Sequence, residues 1–202
     1  MKLYYSPGAC SLSPHIVLRE AGLAFDLVLA STKTHKLADG SDYYGINPLG
    51  YVPLLELDDG TRLREGPAIV QYIADQVPTR NLAPANGTLP RYRLQEWLTF
   101  IGTEVHKAFS PLFFPAMPEE GKQIYRARLA SRFQWIDGQL AGKAYLTGEH
   151  FSVADAYLFT VTNWAKPMNI DLSAYPNLVA MRDRVAARPA VQEAMKAEGL
   201  LK

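Results

Sequence analysis

The sequence predicts an α/β domain with a four-stranded mixed sheet over residues 1–80, followed by an all-α helical domain over residues 87–202. Three observations carry this expectation. Short β-type runs alternate with helical spacing in the first part of the chain. A stretch rich in Pro, Asn and Gly follows at residues 78–90 and reads as a linker. Beyond it, every apolar pattern has the helical period.

The elements of the first part follow in order. Leu3-Tyr4-Tyr5 is a brief strand stopped by Ser6-Pro7-Gly8. Residues 14–21 read as a helix, because Pro14 suits a first turn, Ile16, Val17 and Leu18 supply apolar contacts, and Gly22 is placed as a C-terminal cap. Phe25 to Ala30 is a second strand, and residues 31–46 hold at most a short helix. Leu54–Leu57 and Thr61–Arg64 make a hairpin in which Asp59-Gly60 supplies a turn whose hand matches strand twist. Gly66-Pro67 opens a helix through Ile69, Tyr72, Ile73 and Val77. The order β-α-β-(α)-β-β-α is the thioredoxin-like pattern.

In the second part, Leu94, Trp97, Leu98, Ile101, Val105 and Ala108 form one apolar stripe, and a long helix spans about residues 119–140. Ser152 and Asp155 make a capping box, starting a helix that is apolar nearly all round and therefore expected to be buried. Pro176 and Pro189 each open a further short helix.

Composition narrows the function. With 21 basic and 20 acidic residues the net charge is +1, which leaves no basic surplus for nucleic acid. The single cysteine excludes an intramolecular disulfide and a thiolate-rich metal site, and the four histidines lack zinc-motif spacing, so no metal is expected. The first eleven residues are too short an apolar stretch for a secretory signal, and no run approaches a membrane span, so a cytoplasmic protein is expected.

Cys10 follows a strand and precedes a helix. Amides and the positive dipole end at a helix start favour an anion, so a thiol there is expected to have its thiolate stabilised. A small buried cysteine is the plainer alternative; the turn, with its Ser and Gly neighbours, favours a functional thiol. Ser13 stands where a dithiol protein has its second cysteine, leaving only one-thiol chemistry with a small thiol partner. Val52-Pro53 reads equally as an ordinary proline turn and as a cis peptide exposing the Val52 backbone to an extended peptide. Glu65 reads as a solvated acid at a helix start or as an acceptor for an ammonium group, with the amides from Gly66 onward available to a carboxylate. On 100° per residue, Thr99, Thr103, His106 and Lys107 fall opposite the apolar stripe, so His106 is expected on the outward face.

These residues add up to a resemblance. Over its whole length the chain resembles bacterial beta-class glutathione S-transferases, in MKLYYSPGACSLSPHIVLREAGL, NPLGYVPLLELDDG, EGPAIVQYIAD, LTFIGTEVHKAFSPLF, FSVADAYLF and the closing AEGLLK. The resemblance implies the glutathione transferase fold, glutathione as co-substrate, a small hydrophobic electrophile and a homodimer. It implies that Cys10 contacts the glutathione sulfur and forms a mixed disulfide with it, and that His106 assists catalysis. Val52, beside Pro53, would pair with the cysteinyl part, and Glu65 and Gly66 would hold the γ-glutamyl end. Thr99, Thr103 and Lys107 would complete the site, partly from the neighbouring subunit. Position 35 is His where the family often has a Lys for the glycyl carboxylate, with Lys33 and Lys36 beside it. Position 99 is Thr where an amide is expected, and position 66 is Gly where many relatives carry Ser. The acceptor is expected in an interdomain cleft lined by residues such as Phe109, Phe113 and Trp164, with plain core packing the better reading for Trp164. Conjugation competes with thiol exchange through Cys10, reductive dehalogenation included. A non-catalytic ligand-binding protein of the same fold is the alternative from another class.

Overall fold

Lys2–Tyr5 (β1) runs parallel to Asp26–Leu29 (β2) and antiparallel to Leu54–Glu56 (β3), which pairs with Arg62–Leu63 (β4). The sheet order is β2-β1-β3-β4 in a computed structural model that describes residues 1–201. Side chains alternate across a strand, so Leu3 and Leu55, opposite one another, are buried on one face and Tyr4 and Leu54 on the other. Helices Leu12–Ala21 (α1) and Gly66–Gln76 (α2) pack on each other and against β1 and β3. Tyr4 and Leu54 are covered by Ala30, Tyr43 and Val52. The centres of β1 and β3 are buried on both faces, which explains their apolar Leu3, Leu54 and Leu55.

The hairpin turn departs from the expectation. Gly60 N donates to Leu57 O at 3.0 Å, Leu57 N donates to Thr61 O at 2.8 Å, and Gly60 alone is left-handed, at φ +84°. Asp58 and Asp59 thus form an ordinary-handed turn that a glycine bulge closes, instead of a two-residue mirror-image turn.

Cα packing divides the chain into two units, residues 1–83 with the closing segment from Arg188, and residues 84–187. The helical half therefore gives up its last element. Helix Pro189–Ala197, the final one, packs on α1 of the first unit. Val191 and Ala194 form its buried face. Ion pairs flank the contact: Arg188 bonds Glu20 at 2.6 and 2.8 Å, and Arg19 pairs with Glu193 at 3.1 Å.

The second unit begins with Leu89–Phe100 (α3), whose first turn Thr88 caps through a bond from Arg91 N. Ile101–His106 continues it as a π-helical segment, and Lys107–Phe113 (α4) returns to α-helix. Glu119–Leu140 (α5) buries Leu129, Phe133, Ile136 and Leu140. Val153–Thr162 (α6) is buried at all ten positions, as its sequence predicts. The capping box is present: Asp155 accepts from Ser152 N, Ser152 Oγ and Leu146 N at 2.7–2.8 Å. Burial pushes the Asp155 carboxyl up to about 6, against the pull of those donors. Pro176–Ala186 (α7) has no cap from Tyr175; the buried Asp137 of α5 accepts from Asn177 N at 2.7 Å and Leu178 N at 3.0 Å. The final helix, Pro189–Ala197, is α8. No helix among the described residues is long and apolar enough to cross a membrane.

Candidate functional site

β1 and β3 are antiparallel, so the end of β1 and the start of β3 lie at the same edge of the sheet. That places Ser6–Ser11, which follows β1, beside Tyr51–Pro53, which precedes β3. Cys10 Sγ donates to Val52 O at 3.2 Å, and the Val52-Pro53 peptide is cis. Pro53 in turn lies beside Gly66, where an added Cβ would come within 3.9 Å of the proline ring. Cys10, Val52, Pro53 and Gly66 are therefore neighbours, although 56 residues separate the first from the last.

Backbone bonds shape the Cys10 turn. Ala9 N donates to Ser6 O, Leu12 N to Ala9 O and Ser13 N to Cys10 O, all within 3.0–3.2 Å. The buried Ser11 hydroxyl links back to Ser6 N and O. The amides of Leu12 and Ser13 are committed to carbonyls, and the sulfur lies within hydrogen-bond distance of Val52 O.

The Val52 segment has its own supports. Tyr51 O accepts from Tyr43 Oη and Asn47 Nδ2, both at 2.8 Å, and Arg64 Nε donates to Asn47 Oδ1 at 3.0 Å. His35 Nδ1 lies 3.2 Å from Gly50 O, and its ring packs on Tyr44 with centroids 4.6 Å apart. Gly50 is left-handed at φ +66°, and a Cβ there would meet His35 Nδ1 at 2.6 Å. His35 is thus tied to this segment, whereas Lys33 and Lys36 are exposed.

Glu65 stands at φ +66°, a region that costs a non-glycine residue on the order of 1–3 kcal/mol. Its carbonyl caps α2 by accepting from Ala68 N and Ile69 N at 3.0 Å, while its side chain is exposed. Pro67 has no N–H, so the first turn of α2 has one amide fewer to satisfy.

The second unit carries the rest of the predicted set. Thr99, Thr103 and Lys107 lie exposed along one line, with Thr103 Oγ1 donating to Thr99 O at 3.0 Å. His106 does not stand with them. Its Nδ1 lies 2.7 Å from Tyr157 Oη, and its ring meets Trp164 edge-on with centroids 4.9 Å apart. The cause is the π segment: a residue in a wider turn advances by less than 100°, so the helical wheel misplaces position 106. Burial, then the Lys107 charge, lowers its pKa from 6.5 to about 4, so the imidazole is neutral at pH 7. Phe109, expected to line a cleft, is wholly buried between Phe133 and Trp164 and belongs to the core; Phe113 is exposed. Sequence reasoning missed Tyr157 as the partner of His106, because a tyrosine in an apolar helix carries no signal of its own.

The comparisons with known proteins agree with this geometry. Residues 8–76 match the family model of the glutathione S-transferase N-terminal domain, and residues 100–189 that of the C-terminal domain. Glutathione S-transferase GstA of Escherichia coli O157:H7 is 48% identical, with 99% of this chain aligned to 100% of that one. The solved ternary complex of BphK, a bacterial GST, is 58% identical with a TM-score of 0.97, covering 99% of this chain and 100% of its own. A sphingomonad glutathione S-transferase complexed with glutathione is 49% identical with a TM-score of 0.96, both chains fully covered. A beta-class enzyme from Sphingomonas chungbukensis is 51% identical, again with both chains fully covered and a TM-score of 0.96. A thiol at the end of a thioredoxin-like sheet, two matching domain models and full-length relatives lead to one conclusion: this chain belongs to the bacterial beta-class glutathione S-transferases and is an enzyme of that kind.

Proposed function

We propose that glutathione binds at the β1/β3 end of the sheet with its sulfur against Cys10, and that the enzyme works both by conjugation to small hydrophobic electrophiles and by thiol exchange. The observation that carries this is the 3.2 Å contact between Cys10 Sγ and Val52 O, which sets the thiol against the backbone to which, on this reading, an extended peptide adds. The tripeptide backbone adds to Val52, its cysteinyl sulfur meets Cys10, its γ-glutamyl end takes Glu65 and the Gly66 amide, and the region of His35 holds the glycyl carboxylate. The strained Glu65 backbone supports this reading, since such strain persists where function uses it. The sphingomonad relative bound to glutathione supports it further.

Exchange balances as follows. The Cys10 sulfur, as thiolate, attacks one sulfur of glutathione disulfide. A Cys10–glutathione disulfide forms, the original S–S bond breaks, and the departing glutathione thiolate takes up the proton that Cys10 released. His106 serves the reaction as a neutral hydrogen-bonding group, and Thr99, Thr103 and Lys107 complete the site in a homodimer. Cys10→Ala separates the two chemistries. Exchange is expected to vanish, while conjugation of an activated aryl halide persists at a reduced rate. Full exchange activity in Cys10→Ala would overturn the assignment, and sedimentation as a monomer would overturn the dimer.

A further inference from the structure

The chain leaves α6 at Thr162 and enters α7 at Pro176. In the connection Ile170 N donates to Ala165 O at 2.9 Å and Asn169 N to Lys166 O at 3.1 Å, with Asn169 left-handed at φ +56°. Val179 and Arg182, three residues apart, lie on one face of α7. Together with the connection they border an open hollow of about 530 Å³, which lies wholly within the second unit. A volume of this order suits a small ligand.

The lining divides by chemistry. Ala165, Ile170, Leu172 and Val179 supply an apolar wall, and Arg182 and Lys166 supply two cations. Arg182 is partly buried and Lys166 exposed, so the charge runs from the inner end to the rim. Among the described residues Arg182 makes one hydrogen bond, Nη2 donating to Asn163 Oδ1 at 2.9 Å, and its Nε is shut off from solvent with no acceptor. The acid in the lining does not balance these charges. Asp171 turns both oxygens to Ser173, accepting from its N at 2.8 Å and its Oγ at 2.7 Å. Asp183, beside Arg182 in sequence, is exposed.

A guanidinium carries five N–H donors, and leaving it half-buried on one neutral oxygen is costly. Burial pulls the Arg182 pKa below its ordinary value, and only the Asp183 charge pushes the other way. An arginine kept to close the end of α6 would bond that helix's free carbonyls, whereas Arg182 bonds the Asn163 side chain. What the hollow lacks is an anion, and what its wall offers is apolar surface.

We propose that this hollow is a second binding site, separate from the glutathione site, for small organic anions that join one carboxylate to an apolar body. The carboxylate meets Arg182 and Lys166, and the body lies on Ala165, Ile170, Leu172 and Val179. No residue assigned to glutathione takes part, so the inference stands apart from the assignment of Cys10.

The test is a titration with 1-naphthoate followed by the amide resonances of Ala165, Asn169, Ile170 and Leu172. The protein is first saturated with S-hexylglutathione, so that naphthoate has no glutathione site to enter. Saturable shifts are expected at these four amides, and the neutral 1-naphthylmethanol is expected to bind at least tenfold more weakly. Arg182→Gln is expected to weaken naphthoate binding about tenfold, as for losing a bond to a charged group, and Lys166→Gln about threefold, as for a rim charge. Both variants should conjugate glutathione to an aryl halide at the wild-type rate when naphthoate is absent. Shifts that vanish under S-hexylglutathione would overturn the second site. Equal binding of the neutral alcohol, or wild-type affinity in Lys166→Gln and Arg182→Gln, would overturn its preference for anions. Lys166 is exposed, so Lys166→Gln carries the test alone if Arg182→Gln does not fold.

Discussion

The turn around Cys10 is fixed mainly by backbone groups, with Ala9, Leu12 and Ser13 amides on the carbonyls of Ser6, Ala9 and Cys10 and the thiol on Val52 O. The turn around His106 is fixed by side chains: Tyr157 Oη on its ring nitrogen, Trp164 in an edge contact with its ring, and Phe109 and Phe133 behind Trp164. The difference teaches where each is vulnerable. A backbone-built turn tolerates truncation of side chains that make none of its bonds, but not a change of φ or a clash. A packed ring tolerates neither a cavity nor a buried charge.

The largest effect that would break this comparison is in the aromatic group. Phe109→Ala empties a fully buried aromatic site and is expected to lower unfolding stability by about 3–5 kcal/mol in urea titration. A loss below about 1 kcal/mol would show that side-chain packing does not hold this region. On the backbone-built side, Gly50→Ala places a methyl 2.6 Å from His35 Nδ1 and 2.8 Å from Tyr44 Cε1 in a left-handed residue. The expected cost is about 2 kcal/mol together with weaker glutathione binding, read by calorimetry. Unaltered binding would detach the Gly50–Val52 segment from the ligand.

The pH dependence sharpens the contrast. His106 in the folded protein titrates near 4 against 6.5 ordinarily, so between those values the unfolded chain binds the proton and the folded chain does not. Stability from this group is complete above pH 6.5 and declines as pH falls through that value toward 4. His106→Gln is expected to flatten the midpoint-temperature profile across this window; an unchanged slope would mean that the ring titrates as in solvent. The smallest effect is a gain. Ser13 Oγ is buried without a hydrogen-bond partner, so Ser13→Ala is expected to stabilise by about 1 kcal/mol or less in the same urea titration. Destabilisation would reveal a bond to this hydroxyl.

How much could be read in advance follows the same division. The strand-turn-helix around Cys10, the helix opening at Gly66 and the capping box at Ser152 depend on local rules, and their sequence signals are legible. The place of Val52 beside Cys10 required the antiparallel pairing of β1 with β3, which the hairpin and the strand order make available. Three features escaped. The π segment at 101–106 has no sequence signature, and with it the place of His106 beside Tyr157 and Trp164 was hidden. The turn at Asp58–Gly60 hinged on which residues take positive φ, and only Gly60 does. The return of α8 to the first unit joins a buried face of Val191 and Ala194 to the pairs Arg188–Glu20 and Arg19–Glu193, and which partner that face meets is not written in its local pattern.

The most direct measurement is intact-protein mass after incubation with glutathione disulfide, followed by peptide mapping under non-reducing conditions. The account predicts a single added glutathionyl group per chain, located on Cys10, released by excess glutathione, and absent from Cys10→Ser. A wild-type chain that gains no such mass, while still conjugating glutathione to an aryl halide at the rate of Cys10→Ser, would contradict it.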